Sequence, residues 1–418
     1  MEIKGVILRT GCELNACGTE KFETMQADAT YHFLFFGLTS FHSLPQREQA
    51  LAIECARMGH RVDFIEIAPS VAGKTHALLN RMFSPLARDS GFKAGAAILH
   101  LHIHTPPTLP TGFRNSLTPA VDRAVFRRWF RRTFDDVNLR QVIAMIMMPL
   151  WWENFLDRDL IDPRLLVYDV CDALEVQSRN EGTLMRLQAS ERSLAAEADL
   201  VTYSAKEMDA DIHSRFPGTP SLFLPNAVST DFMDRFDREP MFHRNGHPKE
   251  IGYIGATNGK WFDADLMLET MRRFPDCRVS VIGPVDKAFA QHCAALPNVH
   301  LLGYVHHDEL PQHLRRFDVA LIPFRDNDIT RVVNPLKLYE YASAGLPVVA
   351  TRTDELMHYG DFCFLSPDRE AFFANIRRAL RDVDDVHRQH LRSFAEENTW
   401  GQRVETLLAS LFHYVAAS

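Results

Sequence analysis

The segment VNPLKLYEYASAGLPVVAT, residues 333–351, has residue types and spacing suited to holding a charged ligand. Asn334 can cap a helix, and Pro335 suits its first position because proline has no amide hydrogen to leave unpaired. The amide donors of that first turn, near Leu336 and Lys337, then point out of the helix. With one lysine beside them they form a seat for a diphosphate. Glu340 lies three residues beyond Lys337 and projects from a similar face, where its carboxylate can accept two hydroxyls of a ribose.

A second chemical candidate is Asp172, in YDVCDALEVQ. The apolar run RLLVYDV reads as a strand ending near Asp169, so Asp172 falls in the loop at the carboxyl end of that strand. Active groups of open α/β sheets collect there. A carboxylate in hydrogen-bond reach of a hydroxyl can remove its proton as a general base. The alternative is a loop or cap aspartate serving the helix that follows.

These residues need a scaffold, and the chain supplies alternating strands and helices. YHFLFFGLTS, RVDFIEIA, AAILHLHIH, QVIAMIMMP, RLLVYDV and ADLVTYS read as strands of a first half, with helices over QREQALAIECARMGH, 119–136 and 181–197. EIGYIGA, RVSVIGP, VHLLGYV, DVALIPF and PVVAT read as strands of a second half, with helices over 263–273, 286–294, 308–316 and 335–344. Strand–helix–strand order at this spacing predicts parallel sheets. The fold class is α/β, with two Rossmann-like, doubly wound domains facing an interdomain cleft. The expected organisation is an amino-terminal extension over 1–30, a first domain over 31–225 and a charged, Pro-containing linker over 226–248. A second domain follows over 249–398, then a helix over 399–418 packing back towards the first.

Composition excludes several classes. The chain has 418 residues, 46% hydrophobic and 24% charged, which is more than one core usually organises. A net charge of −8 argues against a general nucleic-acid binder. No stretch approaches the ~20 uncharged apolar residues of a membrane span, and the first thirty residues contain no apolar run of a leader peptide. Seven scattered cysteines suggest reduced thiols and a cytoplasmic protein, without a disulfide framework.

The second half resembles the nucleotide-sugar domain of GT-B-fold glycosyltransferases, above all bacterial polysaccharide enzymes of the retaining family four. The likeness is carried by Asn-Pro-x-Lys-x-x-Glu-Tyr-x-x-x-Gly-x-Pro-Val from Asn334 to Val348, with Ser343 where the family pattern has alanine. It extends, in the family's order, through IGYIGATNGKWFDADLM, VIGP and NVHLLGYVHHDELPQHLRRFDVALIPF. The resemblance implies a UDP- or GDP-sugar as donor and a saccharide or lipid-linked acceptor, in exopolysaccharide or cell-surface glycan synthesis. It implies that Glu340 holds the donor ribose, and that Asn334, Pro335, Leu336 and Lys337 hold the diphosphate. Gly255 would admit the donor at the first strand's tip, and Tyr304 and Val305 would flank the nucleobase. Neither a metal nor a cofactor is implied. Many family members carry a glutamate eight positions before the equivalent of Glu340; here that position is Val332, which leaves the stereochemical outcome open.

The first half is less similar. SFHSLPQREQALAIECARMGHRV stands where such enzymes place their first strand, loop and helix, so Gln46 and Arg47 become candidate substrate contacts. Arg47 could serve the donor phosphates or an acidic acceptor, or it could be an exposed first-turn arginine. Asp172 follows a Tyr-x-x-x-Asp setting similar to that of bacterial inverting glucuronosyltransferases.

Other features carry weaker readings. His100, His102 and His104 alternate along one strand and could ligate zinc, but no carboxylate or cysteine accompanies them in the sequence. The bland reading is also preferred for His306, His307 and His313. The basic amphipathic helix around 121–134 carries Phe126, Trp129, Phe130 and Phe134 on one face. It could lie peripherally on the inner membrane surface or bury its rings in the domain core. Two alternatives to the transferase remain: a non-catalytic nucleotide-sugar-binding partner subunit or an epimerase of the same fold, and a nicotinamide-dependent oxidoreductase. No Gly-x-Gly-x-x-Gly follows a strand to support the oxidoreductase.

Overall fold

A computed structural model describes residues 30–41, 46–67, 98–109, 119–152, 154–178, 180–237 and 248–417. Most of the expected 1–30 extension, the first part of AAILHLHIH and residues 238–247 lie outside these. The chain divides into two compact units. The first comprises residues 1–204, 208–224 and 404–418, and the second 205–207 and 225–403.

Among the described residues the first unit holds a parallel sheet of seven strands. They are β1 (His32–Phe36), β2 (Arg61–Ile65), β3 (Leu101–His104), β4 (Val142–Ile146), β5 (Leu165–Val170), β6 (Leu200–Tyr203) and β7 (Ser221–Phe223), in the order β3-β2-β1-β4-β5-β6-β7. The central strands HFLFF, VIAMI and LLVYDV are nearly continuous apolar runs because helices cover both faces of the sheet. Register is set directly, with Phe33 opposite Val62 on one side and Ile143 on the other.

The second unit holds a parallel sheet of six described strands: β8 (Glu250–Ile254), β9 (Arg278–Ile282), β10 (Val299–Gly303), β11 (Val319–Ile322), β12 (Val348–Thr351) and β13 (Phe364–Ser366). Their order is β10-β9-β8-β11-β12-β13. Each sheet reverses its winding once, between β1 and β4 in the first and between β8 and β11 in the second. Crevices at the carboxyl ends of the strands open at such reversals.

Several expectations change in the structure. The charged stretch read as a linker contains the helix Thr230–Asp237, whose Phe232 and Phe236 are buried in the core of the second unit. Two apolar residues four apart are enough to anchor a short helix in a stretch that is polar on average. Between residue 351 and the expected helix over 399–418, where the sequence pattern predicts no element, the chain forms β13 and the helices Arg369–Asp382 and Asp385–Glu396. The helix Pro119–Thr133 buries Phe126 and Phe130, and the following Phe134 is buried too. Phe130 stacks on Phe36, and Phe126 meets Phe155 edge-on. Its aromatic stripe is therefore core, while Arg123 and Arg127 pair with Asp157. This removes the apolar face that a membrane-surface role needed. No helix among the described residues is long and apolar enough to cross a membrane.

The histidine stripe also resolves differently. His100 lies in a turn with φ of 74°, outside β3, so the three histidines do not share a strand face. His104 instead reaches across the sheet, with Nε2 2.6 Å from Asp63 Oδ1, and His32 Nε2 lies 2.6 Å from Asp63 Oδ2. Burial alone would raise the Asp63 pKa, but these hydrogen bonds and the Arg61 charge hold it well below the usual carboxylate range. No group of three or more metal-ligating side chains occurs among the described residues.

Candidate active site

The clearest site lies in the second unit, at the reversal between β8 and β11. The backbone leaves β8 at Gly255, whose φ of 148° disfavours any side chain; a Cβ there would lie 2.7 Å from Lys337 Nζ. Gly283, at the tip of β9, has φ of 131°, and a Cβ on it would meet the Gly255 carbonyl oxygen at 2.5 Å. The two glycines let adjacent strand tips close up, and Gly255 N donates to the Ile282 carbonyl at 2.8 Å. Beyond β11 the chain enters the helix Leu336–Ser343. Buried Tyr341 ties that helix to the β8 tip, since Ile254 N donates to its Oη at 2.8 Å.

Lys337 is the main electrostatic feature. Its Nζ sits 4.6 Å from the ring centroid of Tyr253 and 5.6 Å from that of Phe324. It makes no ion pair among the described residues. Burial lowers its pKa to about 8, against the opposing charge of Glu340. An ammonium held this way is electrostatically under-compensated and gains from an arriving anion. Glu340, one turn along, is largely covered, with its Oε1 2.9 Å from His307 Nε2. His307 is itself backed by Phe232, ring centroids 4.8 Å apart.

Asn334 does not cap the helix. The N-cap is Pro335, with no side-chain hydrogen bond to the first turn. The Asn334 side chain turns inward: Nδ2 donates to Tyr359 Oη at 2.7 Å and to Glu355 Oε1 at 3.2 Å, and Oδ1 accepts from Asn226 N at 3.1 Å. A buried amide satisfied on both ends is an anchor for the loop that leads into the helix Leu336–Ser343. Tyr304 is 37% exposed, and Val305 packs partly buried against the core.

The first unit carries a separate cluster at its own strand tips. Arg47, at the start of the helix Arg47–Arg57, is 3% exposed and forks onto Asp169, with Nε to Oδ2 and Nη2 to Oδ1 both at 2.8 Å. It is neither an exposed first-turn arginine nor open to phosphate. Gln46, preceding it, is exposed at the N-cap and its N–H donates to Gln49 Oε1 at 2.9 Å. Asp172 is half-buried, and its pKa is pushed up to about 6 by burial, with Arg47 opposing and Asp169 adding to the rise. Tyr168, the tyrosine of the Tyr-x-x-x-Asp setting, is buried and donates to Glu191 Oε1 at 2.8 Å, a structural contact.

Glu48 and His307 have partners that the local sequence does not reveal. Glu48 is buried, and burial raises its pKa to about 7 despite hydrogen bonds from Leu38 N, Thr39 and Gln49. Its only sequence signal is a place in the first turn of a helix. His307 lay in a loop rich in histidine, and only the fold brings it to Glu340, 33 residues away.

Comparison with known proteins places this geometry. Residues 248–382 match the family described as Glycosyl transferases group 1, a span that includes Gly255 after β8 and the helix carrying Lys337 and Glu340. Over 91% of its length the chain superposes on 99% of HepE of Anabaena, solved in complex with UDP and glucose, with a TM-score of 0.61 and 13% identity. The fold is GT-B. Sucrose-phosphate synthase of Thermosynechococcus elongatus shares the GT-B architecture over 93% of this chain and 100% of its own, with a TM-score of 0.64 and 12% identity. In sequence the chain is 27% identical over 159 residues to TuaH of Bacillus subtilis (strain 168), provisionally described as a teichuronic acid biosynthesis glycosyltransferase. That match covers 36% of this chain and 40% of TuaH. The chain thus resembles GT-B glycosyltransferases of polysaccharide synthesis.

Proposed function

We propose that this chain is a glycosyltransferase that moves a sugar from a nucleoside diphosphate sugar to a saccharide or lipid-linked acceptor, in exopolysaccharide or cell-surface glycan synthesis. The observation that carries it is Lys337: an under-compensated ammonium on the first turn of a helix without a side-chain cap, at the reversal point of a parallel sheet. Breaking the anomeric bond builds negative charge on the departing diphosphate. Preorganised amides and one full positive charge stabilise it without a metal ion. Glu340 lies one helical turn, ~5 Å, beyond Lys337, a spacing suited to the ribose attached to a bound phosphate. Tyr304 and Val305, after β10, flank the base.

Asp172 takes the acceptor proton in this scheme. A pKa of about 6 leaves it mostly ionised at neutral pH yet basic enough to assist a hydroxyl. Base-assisted direct attack inverts the anomeric carbon. Incubation of purified protein with a panel of UDP- and GDP-sugars, with anomeric analysis of the released or transferred sugar, tests both parts. Transfer with inversion supports the full scheme, and retention removes Asp172 as base. Binding of nucleoside diphosphate without any turnover would favour a partner subunit, and stabilisation by NAD alone would overturn the assignment.

A further inference from the structure

The pair His307–Glu340 carries an inference that rests on the donor site proposed above and goes beyond it. A carboxylate meant to receive ribose hydroxyls must present its oxygens in a fixed plane, because a freely rotating side chain loses part of each hydrogen bond to ordering. Glu340 is held on one side only. Oε1 lies 2.9 Å from His307 Nε2, which must donate to it, and no hydrogen bond to Oε2 occurs among the described residues. The imidazole is fixed in turn. It stands in the short turn His307–Glu309 after β10, with its ring against Phe232 of the helix Thr230–Asp237. That helix is fastened to the same turn, since Arg235 Nη2 donates to Asp308 Oδ1 at 2.8 Å. The support therefore runs from a helix the sequence reads as linker, through an imidazole, to a carboxylate on the ligand-facing helix.

We propose that His307 is a positioning residue that sets the plane of the Glu340 carboxylate and so makes the site selective for a nucleotide with an intact ribose diol. The free oxygen and the outer lone pair of Oε1 then receive the two hydroxyls, while His307 itself does not touch the sugar. A deoxynucleotide leaves one acceptor of this fixed carboxylate unmatched, and the mismatch is felt only while the carboxylate cannot turn away.

The test is calorimetric titration of uridine and guanosine diphosphates, with their 2′-deoxy and 3′-deoxy forms, against wild type, His307→Ala, His307→Gln and Glu340→Ala. Wild type is expected to prefer the better-bound ribonucleotide over its deoxy forms by ~10-fold or more, since hydrogen bonds to a charged group are worth about that much. His307→Ala should lose most of that preference and raise the donor KM by ~5–10-fold, while kcat at saturating donor stays within ~2-fold. His307→Gln, whose amide can still donate to Glu340, should recover most of the preference. A merely structural role would lower affinity for ribo and deoxy forms alike and would not be rescued by Gln. If Glu340→Ala abolishes the preference and His307→Ala leaves it intact, the inference fails and the donor site stands. If wild type binds no nucleoside diphosphate, the donor site itself fails.

Discussion

Arg47 in the first unit and Lys337 in the second occupy comparable places on opposite sides of the reversal, Arg47 after β1 and Lys337 after β11. Each is a cation in the first turn of a helix that follows a strand beside the reversal point of a parallel sheet. Their environments differ in one respect. Arg47 is forked onto Asp169 and enclosed, whereas Lys337 has two aromatic rings beneath it and no ion pair among the described residues. A buried cation with its partner built in is part of the fold. A desolvated cation without one is held ready for a charge that arrives from outside. The same contrast separates Asp169, consumed by Arg47, from Asp172 three residues later, half-buried with its pKa raised to about 6.

Removing each cation should therefore have opposite consequences. Lys337→Met is expected to cut kcat/KM by ~10²–10³, the scale of losing a preorganised oxyanion donor, while leaving the protein as stable as wild type or slightly more so. Lowered melting temperature together with retained activity would break the comparison. Arg47→Met leaves Asp169 buried without its partner and should destabilise the first unit by ~3–5 kcal/mol in urea unfolding. Nucleoside diphosphate affinity of the fraction that stays folded should be unchanged. Asp172→Asn should lower turnover by ~10² or more with the same nucleotide affinity, read by steady-state kinetics beside calorimetry.

The smallest effect is the shape of the pH profile. The proposed mechanism needs Asp172 ionised and Lys337 protonated, so kcat/KM should rise through about pH 6 and fall above about pH 8. Asp172→Asn should flatten the acid limb and Lys337→Met the alkaline one. Lys337 also leaves a mark on stability. Its folded pKa is below its unfolded value, so between about pH 8 and 10.5 the unfolded chain binds more protons and stability rises with pH from this group. Lys337→Met should remove that rise.

Much of the second unit was legible in the sequence because strand and helix patterns are local. The run Glu250–Ile254, the helix Ala264–Arg273 and the helix Leu336–Ser343 fall within a residue or two of their expected places. Lys337 and Glu340 were legible as well, because a one-turn spacing on a helix fixes which side chains share a face. Thr230–Asp237 was hidden because average polarity concealed two phenylalanines that need the rest of the unit to bury them. Asn334 misled for a related reason: its type suits a cap, but Asn226, Glu355 and Tyr359 compete for its amide and are invisible from the local chain.

Taken alone, the order of the residues determined two parallel α/β sheets and a helix that bears Lys337 and Glu340 one turn apart. Those depend on periodicity and on spacing within one element. Tertiary structure decided which charges are already satisfied, because neutralising a buried group takes partners from distant strands. Asp169 comes to Arg47 from 122 residues away, His307 to Glu340 from 33, and among the described residues no ion-pair partner comes to Lys337.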